Sequence, residues 1–183
     1  MWFDRVALAA AAVLLMVPAY ADPPLYHLGR TPTKAEIDAW NIDVRADGQG
    51  LPPGSGSVAQ GRTIFAETCA ACHGEKGQGG PADPLVGGFG TLTQHNPVRT
   101  VGSYWPYATT LFDFIRRAMP FNAPESLNAD QVYAVSAYVL SLNGIVPDDT
   151  VLDAASLPKI SMPNRNGFTS PDPRPDVHVS TGH

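Results

Sequence analysis

The two cysteines of the chain, Cys69 and Cys72, stand three positions apart and are followed at once by a histidine, giving Cys69-Ala70-Ala71-Cys72-His73. Two thiols at this spacing reach the two vinyl groups along one edge of a haem, and the adjoining imidazole is placed to ligate the iron. The pentapeptide therefore reads as the covalent attachment site of one c-type haem, with Cys69, Cys72 and His73 as the cofactor-binding residues. Competing readings ask for more than the chain offers. No thiol is left over for a disulfide framework or a four-cysteine iron-sulfur cluster, and a structural zinc normally takes four Cys and His ligands. A thioredoxin-like dithiol needs a strand-to-helix setting that the flanking sequence lacks. A plain disulfide between the two is the remaining alternative.

Residues 1–21 carry an apolar run from Val6 to Val17 and end in Ala19-Tyr20-Ala21, the small-x-small pattern of a secretory signal peptide. Asp4 weakens the usual positive start and leaves an uncleaved anchor as the alternative. The run is shorter than the roughly 18 residues of a spanning helix, so cleavage after Ala21 is expected, with no stable membrane insertion afterwards. A periplasmic location suits the motif, because bacteria attach haem c outside the cytoplasm. The net charge of -5 argues against nucleic acid or an anionic membrane as partner.

The rest of the chain divides into an N-terminal extension, 22–56, a helical domain, 57–144, and a C-terminal extension, 145–183. In the first, Thr33 is placed to cap a short helix from Lys34 to Trp40, and 48–56 is a run of turn residues. Leu25, Tyr26, Leu28, Ile37, Trp40, Ile42 and Val44 are too apolar for a solvated linker, so this segment is expected to lie as a strap over a surface. The C-terminal extension is punctuated by proline and is expected to pack as far as Phe168 and to be disordered beyond it.

Within the domain, Ser57 and Gln60 have the spacing of a capping box at the start of a helix from Val58 to Thr68. Gly61 and Phe65 share one face of it, and a glycine inside a helix, which costs about 1 kcal/mol against alanine, points to a close helix crossing. The glycine-rich loop from Gly74 to Gly88 must cover one side of the haem, and one of its carbonyls should accept a hydrogen bond from the free ring nitrogen of His73. Either Pro81 or Pro84 would stiffen it. The aromatic patch Tyr104-Trp105-Pro106-Tyr107 suits either a haem propionate or ordinary core packing. Thr109 or Thr110 is expected to open a helix whose Leu111, Phe114, Ile115 and Ala118 form an apolar stripe.

That helix must stop at Met119-Pro120, where proline holds the preceding residue extended. Met119 is the candidate sixth ligand of the iron, since a neutral thioether opposite histidine raises the reduction potential as an electron acceptor requires. Met162-Pro163 repeats the dipeptide without a helix before it. His27, His95 and His178 would give bis-histidine ligation, though each reads more simply as a surface histidine. A last helix runs from the cap Asn128 to Leu142, with Val132, Val135, Val139 and Leu142 in one stripe, Tyr138 beside it, and Asn143-Gly144 at its end.

Taken together, Gly61, Phe65, the haem motif, Met119-Pro120 and the aromatic last helix resemble a class I cytochrome c over 57–144. The resemblance implies an all-α fold, a small helical bundle around one covalent haem with irregular extensions, in which the first and last helices cross near Gly61, Phe65 and Tyr138. A narrower resemblance rests on Leu28-Gly-Arg-Thr-Pro-Thr33, Trp40-Asn-Ile-Asp-Val-Arg45, Gly50-Leu-Pro-Pro-Gly-Ser-Gly56, Val101-Gly-Ser-Tyr-Trp-Pro-Tyr107, Arg116-Arg-Ala-Met-Pro-Phe121 and Met162-Pro-Asn-Arg-Asn-Gly-Phe168. These runs are similar to the cytochrome subunit of periplasmic sulfane or sulfite dehydrogenases, the SoxD type.

That likeness implies a subunit with no catalysis of its own, which accepts electrons from a molybdenum-cofactor subunit oxidising sulfur compounds and passes them to another cytochrome c or an oxidase. The chain departs from longer members of that family in having a single haem motif. The apolar N-terminal strap and residues 145–168 would then help dock the molybdenum subunit, or else wrap their own domain. Two other readings stay in view: a free diffusible carrier serving several donors, and a haem catalyst with an open sixth site.

Overall fold

The structure, a computed structural model, describes residues 29–169; the expected signal segment, Leu25, Tyr26, His27, Leu28, His178 and the end of the tail lie outside them. Two units are distinguished, divided after Asn41. The first contributes helix α1 (Lys34–Trp40), capped as the sequence implies: the Thr33 hydroxyl accepts from the backbone N–H of Glu36, and the Glu36 carboxylate accepts from that of Thr33. Arg30 also binds this carboxylate and, with the cap, holds its pKa down at about 2.

The second unit begins at Ile42. Its elements are strand β1 (Ser55–Ser57), helices α2 (Val58–Thr68), α3 (Ala70–His73), α4 (Ala108–Ala118) and α5 (Ala129–Leu142), strand β2 (Val151–Asp153) and a single 3₁₀ turn, Leu157–Lys159. The fold is all-α apart from the short antiparallel ribbon of β1 and β2, in which Gly56 faces Leu152. Both capping boxes form, Ser57 with Gln60 and Asn128 with Gln131. No described helix is long and apolar enough to cross a membrane.

Helix α5 is the centre of the unit. The sequence implies one apolar stripe, yet every residue from Val132 to Leu140 is buried. The reason is that α5 is covered on all sides, by α2, α4 and both strands of the ribbon. A helix apolar all round belongs inside a fold, and fully burying a side chain such as Leu140 stabilises by about 2 kcal/mol.

The crossing of α2 over α5 is tight. A Cβ on Gly61 would meet the carbonyl oxygen of Ala134 at 1.9 Å, and one on Gly56 would meet the Ala134 nitrogen at 2.2 Å. Next to this contact, Phe65 and Tyr138 meet edge to face with ring centres 5.3 Å apart.

Helix α4 begins at Ala108, with Tyr107 as its cap residue, and not at Thr109 or Thr110. Thr109 lies inside the helix, its side chain buried and donating to the distant carbonyl of Ala46. The buried stripe is Ala108, Leu111, Phe112 and Ile115, the same i, i+3, i+4, i+7 spacing counted from a different residue. Phe114, placed in the stripe by the sequence, is half exposed and meets Trp105 edge to face.

Residues 42–56 and the segment after α5 are built into this unit. The Tyr133 hydroxyl donates to the Pro52 carbonyl at 2.8 Å, and the Ser55 N–H donates to Asp130 at 2.7 Å. Leu152, Leu157 and Met162 lie in the core. Those three side chains are therefore committed to their own domain and are unavailable to a partner.

Candidate haem site

Helix α2 ends where Cys69 donates its N–H to the Phe65 carbonyl, and α3 starts in the next residue. This single turn carries Cys69, Cys72 and His73 together. The glycine-rich loop then folds back on it: the N–H of Gly79 donates to the His73 carbonyl at 2.8 Å and that of Ala82 to the Cys72 carbonyl at 3.0 Å. Carbonyls left over at a helix end need partners, and the loop supplies them. Asn143, just past α5, ties the loop to the core by donating through Nδ2 to the Leu85 carbonyl at 3.1 Å.

Nδ1 of His73 lies 2.9 Å from the carbonyl oxygen of Asp83. A carbonyl only accepts, so Nδ1 carries the hydrogen and Nε2 of the neutral ring keeps its lone pair. That is the tautomer an iron ligand needs, with the ring orientation fixed by its outer partner. Of the two prolines in the loop, Pro84 is the one beside this contact, and it restricts Asp83 to extended backbone.

The Cys69 thiol is partly buried, and that burial pushes its pKa up against the lowering effect of the Thr68 hydroxyl 3.3 Å away. Cys72 is exposed, and neither thiol is in a disulfide. Two free thiols and a tautomer-fixed imidazole on one turn fit covalent haem. A structural zinc does not fit as well, since among the described residues no three His, Cys, Asp or Glu side chains are gathered as a metal site.

Met119 caps the C-terminus of α4 in an extended conformation, its N–H donating to Ile115. It is partly buried and packs on the hydrophobic core of the domain. Met162 is only 2% exposed and serves as core filling. His95 is on the surface, its Nδ1 3.2 Å from Asn96.

The aromatic patch divides. Trp105 packs on Phe114, while Tyr104 and Tyr107 lie under the guanidinium groups of Arg99 and Arg165. Two residues escaped the sequence reading, Asp113 and Arg117, which pair along α4 with Arg117 Nε 2.9 Å from Oδ2 of Asp113. Their i, i+4 spacing was the available signal.

The model of the Cytochrome c family matches residues 58–143. Among solved structures, a chain in the crystal structure of the sulfane dehydrogenase SoxCD from Paracoccus pantotrophus is 45% identical. It superposes with a TM-score of 0.76 over 81% of this chain and 73% of its own. The chain is also 32% identical over 111 residues to the cbb3-type cytochrome c oxidase subunit FixP of Bradyrhizobium diazoefficiens. It is 35% identical over 92 residues to a thiosulfate dehydrogenase of Stutzerimonas stutzeri. These matches take in 58% and 49% of this chain but only 37% and 29% of those two relatives.

The chain belongs to the class I c-type cytochromes and resembles the SoxD type among them. Membership implies covalent haem c, and the domain fits a role in electron transfer.

Proposed function

We propose that this chain is a periplasmic monohaem cytochrome, the electron-accepting subunit of a molybdenum-dependent dehydrogenase acting on sulfane or sulfite sulfur. Cys69 and Cys72 would hold the haem through thioether bonds, and His73 and Met119 would be the ligands of its iron. When bound, the haem supplies a one-electron Fe(III)/Fe(II) couple. The chain's own residues hold it: Asp83 fixes the His73 ring, the loop from Gly74 to Gly88 covers that side, and α4 presents Met119. With His73 and Met119 both serving as ligands, no position would be left open for substrate and the chain would act as an electron carrier. Electrons pass on to another cytochrome c or an oxidase.

The observation that carries this reading is the 45% identity to a SoxCD chain, which runs beyond the haem domain over most of both chains. The test is purification of the tagged full-length chain from its native host. Co-purification of a molybdenum-containing subunit, with haem reduction on adding a sulfur substrate, is the expected result. Recovery of the chain alone, with haem that sulfur compounds leave oxidised, would replace the reading with a free diffusible carrier.

A further inference from the structure

Helix α4 is attached to the domain along two lines. One is the apolar stripe of Ala108, Leu111, Phe112 and Ile115. The other is a polar stripe of Thr109, Asp113, Arg116 and Arg117, spaced i, i+4, i+7 and i+8 and so also on one face. Every member of this second stripe is bound to the segment 42–46 or to a neighbour that is. Asp113 Oδ1 accepts from the Val44 N–H at 3.0 Å, and Thr109 donates to the Ala46 carbonyl at 3.3 Å. Arg116 donates to the Ile42 carbonyl at 3.4 Å. Arg117 joins the two sides: its Nε spans both oxygens of Asp113, at 3.0 and 2.9 Å, and its terminal nitrogen binds Asp43.

The apolar line seats α4 in the close-packed core, and the polar line adds a second, directional constraint on roll about its axis. Met119 is the next residue after this helix and is tied to it by the bond from its N–H to the Ile115 carbonyl at 3.0 Å. Roll of α4 therefore moves the Met119 sulfur. An exposed ion pair alone contributes little. Here one guanidinium serves two carboxylates, and one of these, Asp113, also accepts from the Val44 N–H; the Arg117 side chain is about two-thirds buried, with 32% exposed, which makes a planar, two-sided fork effective.

We propose that residues 42–46 form a clamp that holds the axial methionine in place, with Arg117 as its positioning residue. The clamp rests on the reading of Met119 as an iron ligand. It assigns part of the N-terminal extension a role in setting how firmly the sixth position is closed, independent of any partner.

The test is titration of the ferric holoprotein, full-length, with imidazole, which competes with Met119 for the iron. Its apparent affinity scales with the fraction of molecules in which the methionine has let go. Arg117→Met and Asp43→Asn are each expected to bind imidazole about fivefold more tightly than the unaltered chain, with Arg117→Lys between. Thermal unfolding followed by far-ultraviolet circular dichroism reports the stability of the whole domain. Unchanged imidazole affinity in both variants would overturn the clamp, as would a rise that merely tracks a lower unfolding midpoint. Asp43 is exposed, so its variant carries the test should Arg117→Met fail to fold. Met119→Ala separates the two levels: if it titrates like the unaltered chain, the ligand reading has failed; if it binds imidazole far more tightly while the clamp variants are unmoved, only the clamp has.

Discussion

The carbonyl oxygen of Ala134 on α5 lies 1.9 Å from where a Cβ on Gly61 of α2 would stand. Backbone cannot yield as a flexible side chain does, so Gly61→Ala must push the two helices apart. With them would go the edge-to-face contact of Phe65 and Tyr138. We expect a loss of about 3 kcal/mol, read as a lower urea midpoint at unchanged slope. A stability within error of the unaltered chain would show that the crossing is looser than described.

Tyr133 makes stability depend on alkaline pH. Its hydroxyl is buried and bonded to Pro52, and burial, reinforced by the charge of Asp153, pushes its pKa from 10.0 to about 12. Because the folded value is raised, the contribution is fully present below pH 10 and is lost as the pH climbs toward 12. Urea unfolding across that window should show a decline that Tyr133→Phe reduces. The same variant should be less stable at neutral pH by about 1 kcal/mol, since it leaves the Pro52 carbonyl without its donor.

Ser136 offers the opposite case. Its side chain is fully buried on α5, and among the described residues its Oγ has no protein hydrogen-bond partner. Removing an unsatisfied buried hydroxyl relieves its desolvation cost, and alanine is the better helix former. Ser136→Ala should therefore raise the urea midpoint, by about 1 kcal/mol of stability, where most core substitutions lower it.

The two thiols should differ in reactivity in the haem-free chain. Cys69 is partly buried with a raised pKa, while Cys72 is exposed. Since the thiolate is the nucleophile, iodoacetamide at mildly alkaline pH should modify Cys72 first. The gap should narrow as the pH rises through the elevated pKa of Cys69. Peptide mapping by mass spectrometry checks the order, and equal rates at every pH would contradict it.

Features with short-range causes were legible before the fold was known. The caps at Ser57 and Asn128 are each decided within three residues, and the haem motif within five. Gly61 was readable because a glycine inside a helix has few uses besides close approach, and the extended backbone at Met119 because proline follows it. What escaped has a distant partner. Thr109 looks like a cap, yet it lies inside the helix with its hydroxyl on Ala46, and the buried face carries Phe112 in place of Phe114. The carbonyl for His73 was expected from the loop, yet only the folded loop selects Asp83. The all-round burial of α5 comes from four neighbours separated widely along the chain, so no window of sequence displays it.

The ribbon of β1 and β2 joins residues on either side of the haem motif, and Leu152, Leu157 and Met162 close the core from its C-terminal side. Chains are made from the N-terminus, and a domain folds as a unit once the residues that complete it are present. Both thiols and His73 thus emerge while the residues that shut the core have yet to be made. The topology gives the nascent protein an interval in which its attachment turn exists without its lid, and residues 151–162 end that interval.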